Sequence, residues 1–273
     1  MDILFINNAI FLVTIDRVIK FRSTVPMNDR TQEELCESLD IILREYKKVG
    51  YNVENIWCDG EFRSIMQDVE DQLGGKFRFG APGDHVPDIE RSNRVIEERF
   101  RVAFHRLPFR RMPKVMTEFL TMLLTKNLNL FPNDEGISEY YSPQMILKSK
   151  SVDYKKHCEF KFGDYVQVYD DQDIKNNNVP RTKDTIYLRP SPDMPNGHDI
   201  MDLYTGRKIS RPQITKCEMS LIIIKRVKEL GRRQGVKSLK FRYRKNEDWL
   251  PIDIDKLLLP DEIGDEEAEL NQP

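Results

Sequence analysis

The sequence predicts an α/β protein: a mixed five-stranded sheet flanked by helices over residues 1–132, then a small β-barrel-like domain. Two patterns carry that expectation. Strand-like and helix-like segments follow in the order βββ-α-β-α-β-α-α through the first half, the order of a mixed sheet with helices packed on it. From about Val152 the character changes to short β-like runs between turn-rich pieces, as in a small antiparallel barrel. A chain of 273 residues, 39% hydrophobic and 32% charged, has the length to bury such a core and keep a polar surface.

Asp2–Ile6, Ile10–Ile15 and Val18–Val25 read as three strands of a meander, the first two joined by the turn pair Asn7-Asn8. The first begins at residue 2 without a lead-in, so the chain is expected to be a fragment of a longer reading frame. Thr31-Gln32-Glu33-Glu34 is a capping box. Leu35, Leu39, Ile42 and Tyr46 follow at helical spacing, and Gly50 is a stop. Val53–Cys58 is a short strand broken by Asp59-Gly60-Glu61-Phe62. A helix over Arg63–Leu73, a Gly74-Gly75 break and a strand at Lys76–Phe79 follow. Pro87 suits the first turn of a long helix ending near Pro108, with Ile89, Ile96, Phe100 and Ala103 on one face. A second helix runs from about Pro113 to Leu130 on an apolar stripe of Val115, Phe119, Met122, Leu123 and Leu130.

Residues 133–151 read as a linker after Phe131-Pro132. The β-like runs at Tyr165–Tyr169, Thr185–Leu188, Ile200–Tyr204 and Lys208–Thr215 define a second domain over 152–218. Residues 219–273 are expected to give a helix at Met219–Leu230, then a charged, disordered tail.

The net charge of −2 selects no partner, but its distribution is uneven. Arg91–Lys114 holds eight Lys/Arg against two Glu, and Lys225–Lys245 ten against one, whereas Asp261–Glu269 holds six acids and no base. Basic segments of this kind suit a polyanion, or a solvated surface. Lys237–Lys245 interleaves cations with aromatics, as nucleic-acid contacts, a nuclear-entry signal or a solvated linker would. Cys36, Cys58, Cys158 and Cys217 have no metal spacing, and His157-Cys158 is a lone pair, so a reduced, intracellular protein is expected, its nuclear entry left open. No segment is long and apolar enough to span a membrane.

Asp2 on the first strand, Asp59 at the end of the fourth, and Glu90 in the first turn of the long helix form a possible carboxylate triad, with 30 residues between the last two. Phosphoryl transfer on a polynucleotide uses such carboxylates to hold two divalent ions that activate the nucleophile and the leaving oxygen. Each acid also has an ordinary role, as a strand-end residue, a turn former and a first-turn helix acid.

These residues carry a resemblance. Asp59-Gly60-Glu61-Phe62 and Glu90-Arg91-Ser92-Asn93-Arg94 resemble the D-x-x-x-F and E-R-x-N-R elements of retroviral and retrotransposon integrases. The likeness to copia-type retrotransposon polyproteins continues through Pro108-Phe109, Tyr141-Ser142-Pro143, Asp153–His157, Phe162–Val166 and Leu203–Ile209. It implies an RNase H-like catalytic core with Asp2, Asp59 and Glu90 as catalytic and metal-binding residues. Asp16 is the rival for the first position. It further implies two Mg²⁺ or Mn²⁺ ions as cofactors, DNA (element ends and target) as partner, homo-oligomers as the active form, and DNA integration by 3′-end processing and strand transfer. The alternatives are a metal-dependent nuclease of the same fold and a degenerate nucleic-acid-binding remnant of this transposable element. Against the family pattern, a chain without the preceding His/Cys zinc module and without the following reverse transcriptase is expected, and the Asp59–Glu90 spacing is shorter.

Asn93, Arg94 and Arg101, near the Glu90 side of the helix, are expected against DNA phosphates, with Arg110, Arg111 and Lys114 beside them. His85 is expected as a loop hydrogen-bonder, and Trp57 and Phe62 as core packing around Asp59.

Overall fold

Asn7 and Asn8 both adopt positive φ, 48° and 63°, the two-residue turn whose twist matches paired strands. It joins β1 (Asp2–Ile6) to β2 (Ala9–Ile15) antiparallel, with Asp2 opposite Val13. The geometry is that of a computed structural model describing residues 1–59, 62, 70, 76–79, 87–149, 151, 154, 159–170, 181–236, 241–242 and 248–249. The expected helix at Arg63–Leu73 (apart from Glu70), His85, His157-Cys158 and the acidic run Asp261–Glu269 lie outside the described residues.

β3 (Arg22–Met27) completes a three-stranded sheet in the order β1-β2-β3. It starts later than the expected Val18. Asp16 Oδ1 accepts the N–H groups of Val18 (2.8 Å) and Ile19 (2.7 Å), and Lys20 sits at φ 57°, so this segment is a side-chain-capped turn. Pro26 is tolerated because β3 is an edge strand. The side chain of Asn129 covers that edge: its Oδ1 accepts the Arg22 N–H at 2.8 Å and its Nδ2 donates to the Arg22 carbonyl at 2.7 Å.

β4 (Asn55–Cys58) and β5 (Lys76–Phe79) pair in parallel as a second sheet. Among the described residues the expected single five-stranded sheet is therefore two ladders, of three strands and of two. The Met1 amine donates to the Trp57 carbonyl at 2.5 Å, so the strands meet where β1 is only starting and β4 is about to end. That overlap is too short for a ladder.

α1 (Gln32–Lys47) buries Leu35, Leu39, Ile42, Leu43 and Tyr46. Thr31 Oγ1 caps the Glu34 N–H, but Glu34 reaches back to the N–H of Asn28 (2.9 Å), not to Thr31, whose N–H is held by Asp29. Gly50 at φ 86° closes the helix, with Tyr51 N–H bonded to the Tyr46 carbonyl and Gly50 N–H to that of Lys47.

α2 (Pro87–Arg106) packs on β1 and β2 through Ile89, Ser92, Asn93, Ile96, Phe100 and Phe104. α3 (Lys114–Leu128) lies against β3. The expected stripe is buried only in part: Phe119 and Leu130 are buried, Val115, Met122 and Leu123 are half-buried, and Thr117, Thr121 and Thr125 are buried with Met116 and Leu120. Threonine is accommodated there because Thr121 and Thr125 donate to carbonyls one turn back (2.9 and 3.0 Å) and Thr125 also meets Thr24 Oγ1 at 2.8 Å. Within 133–151, α4 (Pro143–Lys148) buries Leu147 in the same core as α1.

The second half forms one antiparallel sheet in the order β10-β6-β7-β8-β9: β6 (Tyr165–Tyr169), β7 (Thr182–Pro190), β8 (His198–Asp202), β9 (Lys208–Arg211) and β10 (Thr215–Lys216). The expected β-barrel-like closure is absent among the described residues. The run Lys208–Thr215 is interrupted at Pro212, and β9 and β10 are the unpaired edges of an open sheet. The sheet is nevertheless strongly curved. A flat five-stranded sheet separates its edges by roughly 19 Å, whereas the short Pro212–Ile214 link spans at most about 14 Å. Arg189 on β7 joins this sheet to α3, its guanidinium 4.6 Å from the Phe119 ring centroid and its Nε 3.0 Å from fully buried Asp199. α5 (Leu221–Arg233) packs through Gly231, where a Cβ would lie 3.2 Å from the Met112 backbone. Met1–Lys237 form one compact unit and Ser238–Pro273 another. In the latter, β11 (Phe241–Arg242) pairs antiparallel with β12 (Asp248–Trp249).

Candidate active site

Asp2 is the first residue of β1, and helix α2 approaches it from one side. Ile89, Ile96 and Phe100 turn the helix toward the sheet, and Asn93, between them in the spiral, faces the strand. Asn93 Nδ2 donates to Asp2 Oδ2 at 2.6 Å, across 91 residues of chain. The other carboxylate oxygen of Asp2 accepts the Ile3 N–H at 2.8 Å. Asn93 Oδ1 is buried with no hydrogen-bond partner. Glu90 lies one turn before Asn93 on the same side of α2 and is exposed.

Asp59 follows β4, anchored by fully buried Cys58 before it and by buried Phe62, whose N–H closes a turn on the Asp59 carbonyl at 3.2 Å. Burial lowers the pKa of the Met1 ammonium, against the opposing pull of Cys58, Asp2 and Asp59. The Cys58 thiol is pushed up to about 11, first by burial, which makes it a poor nucleophile.

Among the described residues, no three His, Cys, Asp or Glu side chains are gathered closely enough to hold a metal. Asp2 and Asp59 share a neighbourhood and α2 brings Glu90 toward it, but the three do not form a coordination sphere. The donor chemistry fits a hard divalent cation, which takes carboxylate and amide oxygens, and Asn93 Oδ1 is an orphaned oxygen of that kind. Asp16, the rival first acid, is occupied in capping the β2–β3 turn.

The residues expected on DNA are dispersed. Asn93 is buried and directed at Asp2, which removes it from the solvent face. Arg94 is exposed, with its Nε 3.2 Å from Glu98. Arg101 is exposed, and its charge opposes the burial that raises the Glu97 pKa. Arg110 and Arg111 are half-buried, Arg110 with a buried unpartnered Nη1. Lys114 Nζ lies 3.5 Å from Glu118. Phe62 is core as expected, but Trp57 is 37% exposed and carries the Arg17 guanidinium 4.3 Å from its ring centroid. The sequence reading missed Arg17, Lys20 and Asp88, which meet beside the site. Lys20 and Asp88 are 68 residues apart, and no local pattern pairs them.

No family model matches the chain, and no curated protein matches it. Among solved structures the chain is similar to the catalytic core domain of BIV integrase, at 16% identity over 55% of this chain and 91% of that one, with a TM-score of 0.41. Among the described residues, no helix is long and apolar enough to cross a membrane.

Proposed function

We propose that this chain is an integrase-like polynucleotidyl transferase of the copia retrotransposon kind, with an RNase H-like core acting on DNA. Asp2, Asp59 and Glu90 are its metal-holding acids. The observation that carries the reading is the 2.6 Å bond between Asn93 and Asp2. It draws the Glu90-Arg91-Ser92-Asn93-Arg94 element onto the first strand, near the acid that ends β4. Bound Mg²⁺ or Mn²⁺, as a pair of ions, supplies charge neutralisation at the transferred phosphate and lowers the pKa of the attacking hydroxyl. Asn93 orients the Asp2 carboxylate. Arg94 and Arg101 neutralise DNA phosphates, with Arg110, Arg111 and Lys114 extending that surface. The active form is a homo-oligomer working on element ends and target DNA in the nucleus.

The test is DNA joining by the purified chain with Mg²⁺, beside its Glu90→Gln form. Loss of an acid whose metal contributes several kcal/mol predicts a fall of more than about a hundredfold. Joining that persists in the Gln form removes Glu90 from the chemistry. Cutting without joining identifies a metal-dependent nuclease.

One observation favours a second reading. Both Asp2 oxygens accept hydrogen bonds from the protein itself. In that reading the acids serve the packing of α2 on β1, and the chain is a remnant that binds nucleic acid without cutting it. Mg²⁺-independent DNA binding without turnover distinguishes it.

A further inference from the structure

Two acids of the proposed site stand at element ends, Asp59 just after β4 and Glu90 in the first turn of α2. Element ends hold their side chains loosely unless something outside the element braces them. The turn between β2 and β3 reaches both ends, and its own backbone is held by the two N–H bonds to Asp16 Oδ1. From this turn Arg17 lays its guanidinium 4.3 Å from the Trp57 ring centroid, two residues before Asp59. Its Nε stands 3.8 Å from Asp88 Oδ2, two residues before Glu90. Lys20, with its side chain only 10% exposed, adds Nζ at 3.3 Å from Asp88 Oδ1.

We infer that Arg17 is a positioning residue for the proposed site, tying the end of β4 to the start of α2 and so fixing Asp59 relative to Glu90. The inference rests on the metal-dependent reading above. Arginine suits the task because its planar guanidinium stacks on an indole face while its N–H groups point in the ring plane toward a carboxylate. Lysine keeps the charge and loses the stacking. Both partners of the pair are partly exposed, at 46% and 32% of their side chains, so the pair adds little to stability. Removing Arg17 therefore loosens the site without unfolding the protein, because Lys20 still holds Asp88.

Mn²⁺ binding to the full chain, followed by electron paramagnetic resonance, tests this with thermal unfolding measured in parallel. Arg17→Met is expected to weaken Mn²⁺ binding about tenfold, the usual scale for groups that orient metal ligands, with little change in melting temperature. Arg17→Lys is expected to fall between Met and wild type. Asp88→Asn carries the same test from the other partner, with the same direction expected, and stands in where Arg17→Met lowers the folded fraction. If either folded variant binds Mn²⁺ as tightly as wild type, the inference is overturned while the proposed function stands. If the wild-type chain binds no Mn²⁺, the proposed function is overturned and the inference with it.

Discussion

The amide of Asn93 gives its N–H to Asp2 and leaves its oxygen buried without a partner. The sequence placed this residue on DNA, because helical periodicity puts it near the Glu90 side of α2, away from the apolar face. A carboxylate on a strand 91 residues away turned it inward, which periodicity cannot express. A hydrogen bond to a charged group contributes about 1.5–3 kcal/mol. Asn93→Ala is expected to lower the unfolding free energy in urea by about that amount. Unchanged stability would mean that the bond does not form in solution.

At the scale of elements, the curved second sheet is held to α3 through a buried carboxylate. Burial raises the pKa of Asp199, but hydrogen bonds from Ser210 and Arg189 and the Arg189 charge outweigh it and leave the carboxyl below its ordinary value of 3.8. A depressed folded pKa contributes stability that is fully present above the unfolded value and is lost as pH falls through the folded one. Wild type should therefore exceed Asp199→Asn by about 1.5–3 kcal/mol near neutrality. The gap should narrow as pH falls below 3.8. A gap that stays constant down to the acid limit would contradict the assignment.

Elements governed by local chemistry were legible in the sequence. Asn7-Asn8, Gly50 and Pro87 mark ends because their backbone preferences act within a turn. What failed depended on which partner won a competition, near or far in the chain. α3 buries Thr121 and Thr125 because Thr24 on β3 and its own carbonyls satisfy them. Glu34 leaves Thr31 for Asn28 because Asp29 already holds the Thr31 N–H. Around the candidate site, the elements that carry or precede Asp2, Asp59 and Glu90 could be read in the sequence; the Asn93–Asp2 bond and the Arg17–Trp57–Asp88 bridge could not, since both join segments far apart.

At the scale of the whole molecule, α2 is the element on which the functional reading turns. It packs on β1 and β2, carries Glu90 and Asn93 at its N-terminal end, and presents Arg94 and Arg101 to solvent. Of the proposed acids, Asp2 opens β1, Asp59 follows β4 and Glu90 lies in the first turn of α2. The most direct test is crystallography of the chain soaked with Mn²⁺, located by anomalous scattering. The account predicts density bonded to carboxylate oxygens of Asp2, Asp59 and Glu90, at the roughly 2.1 Å typical of a small hard cation. Mn²⁺ bound elsewhere, or the three carboxylates remaining apart with Mn²⁺ in excess, would contradict it.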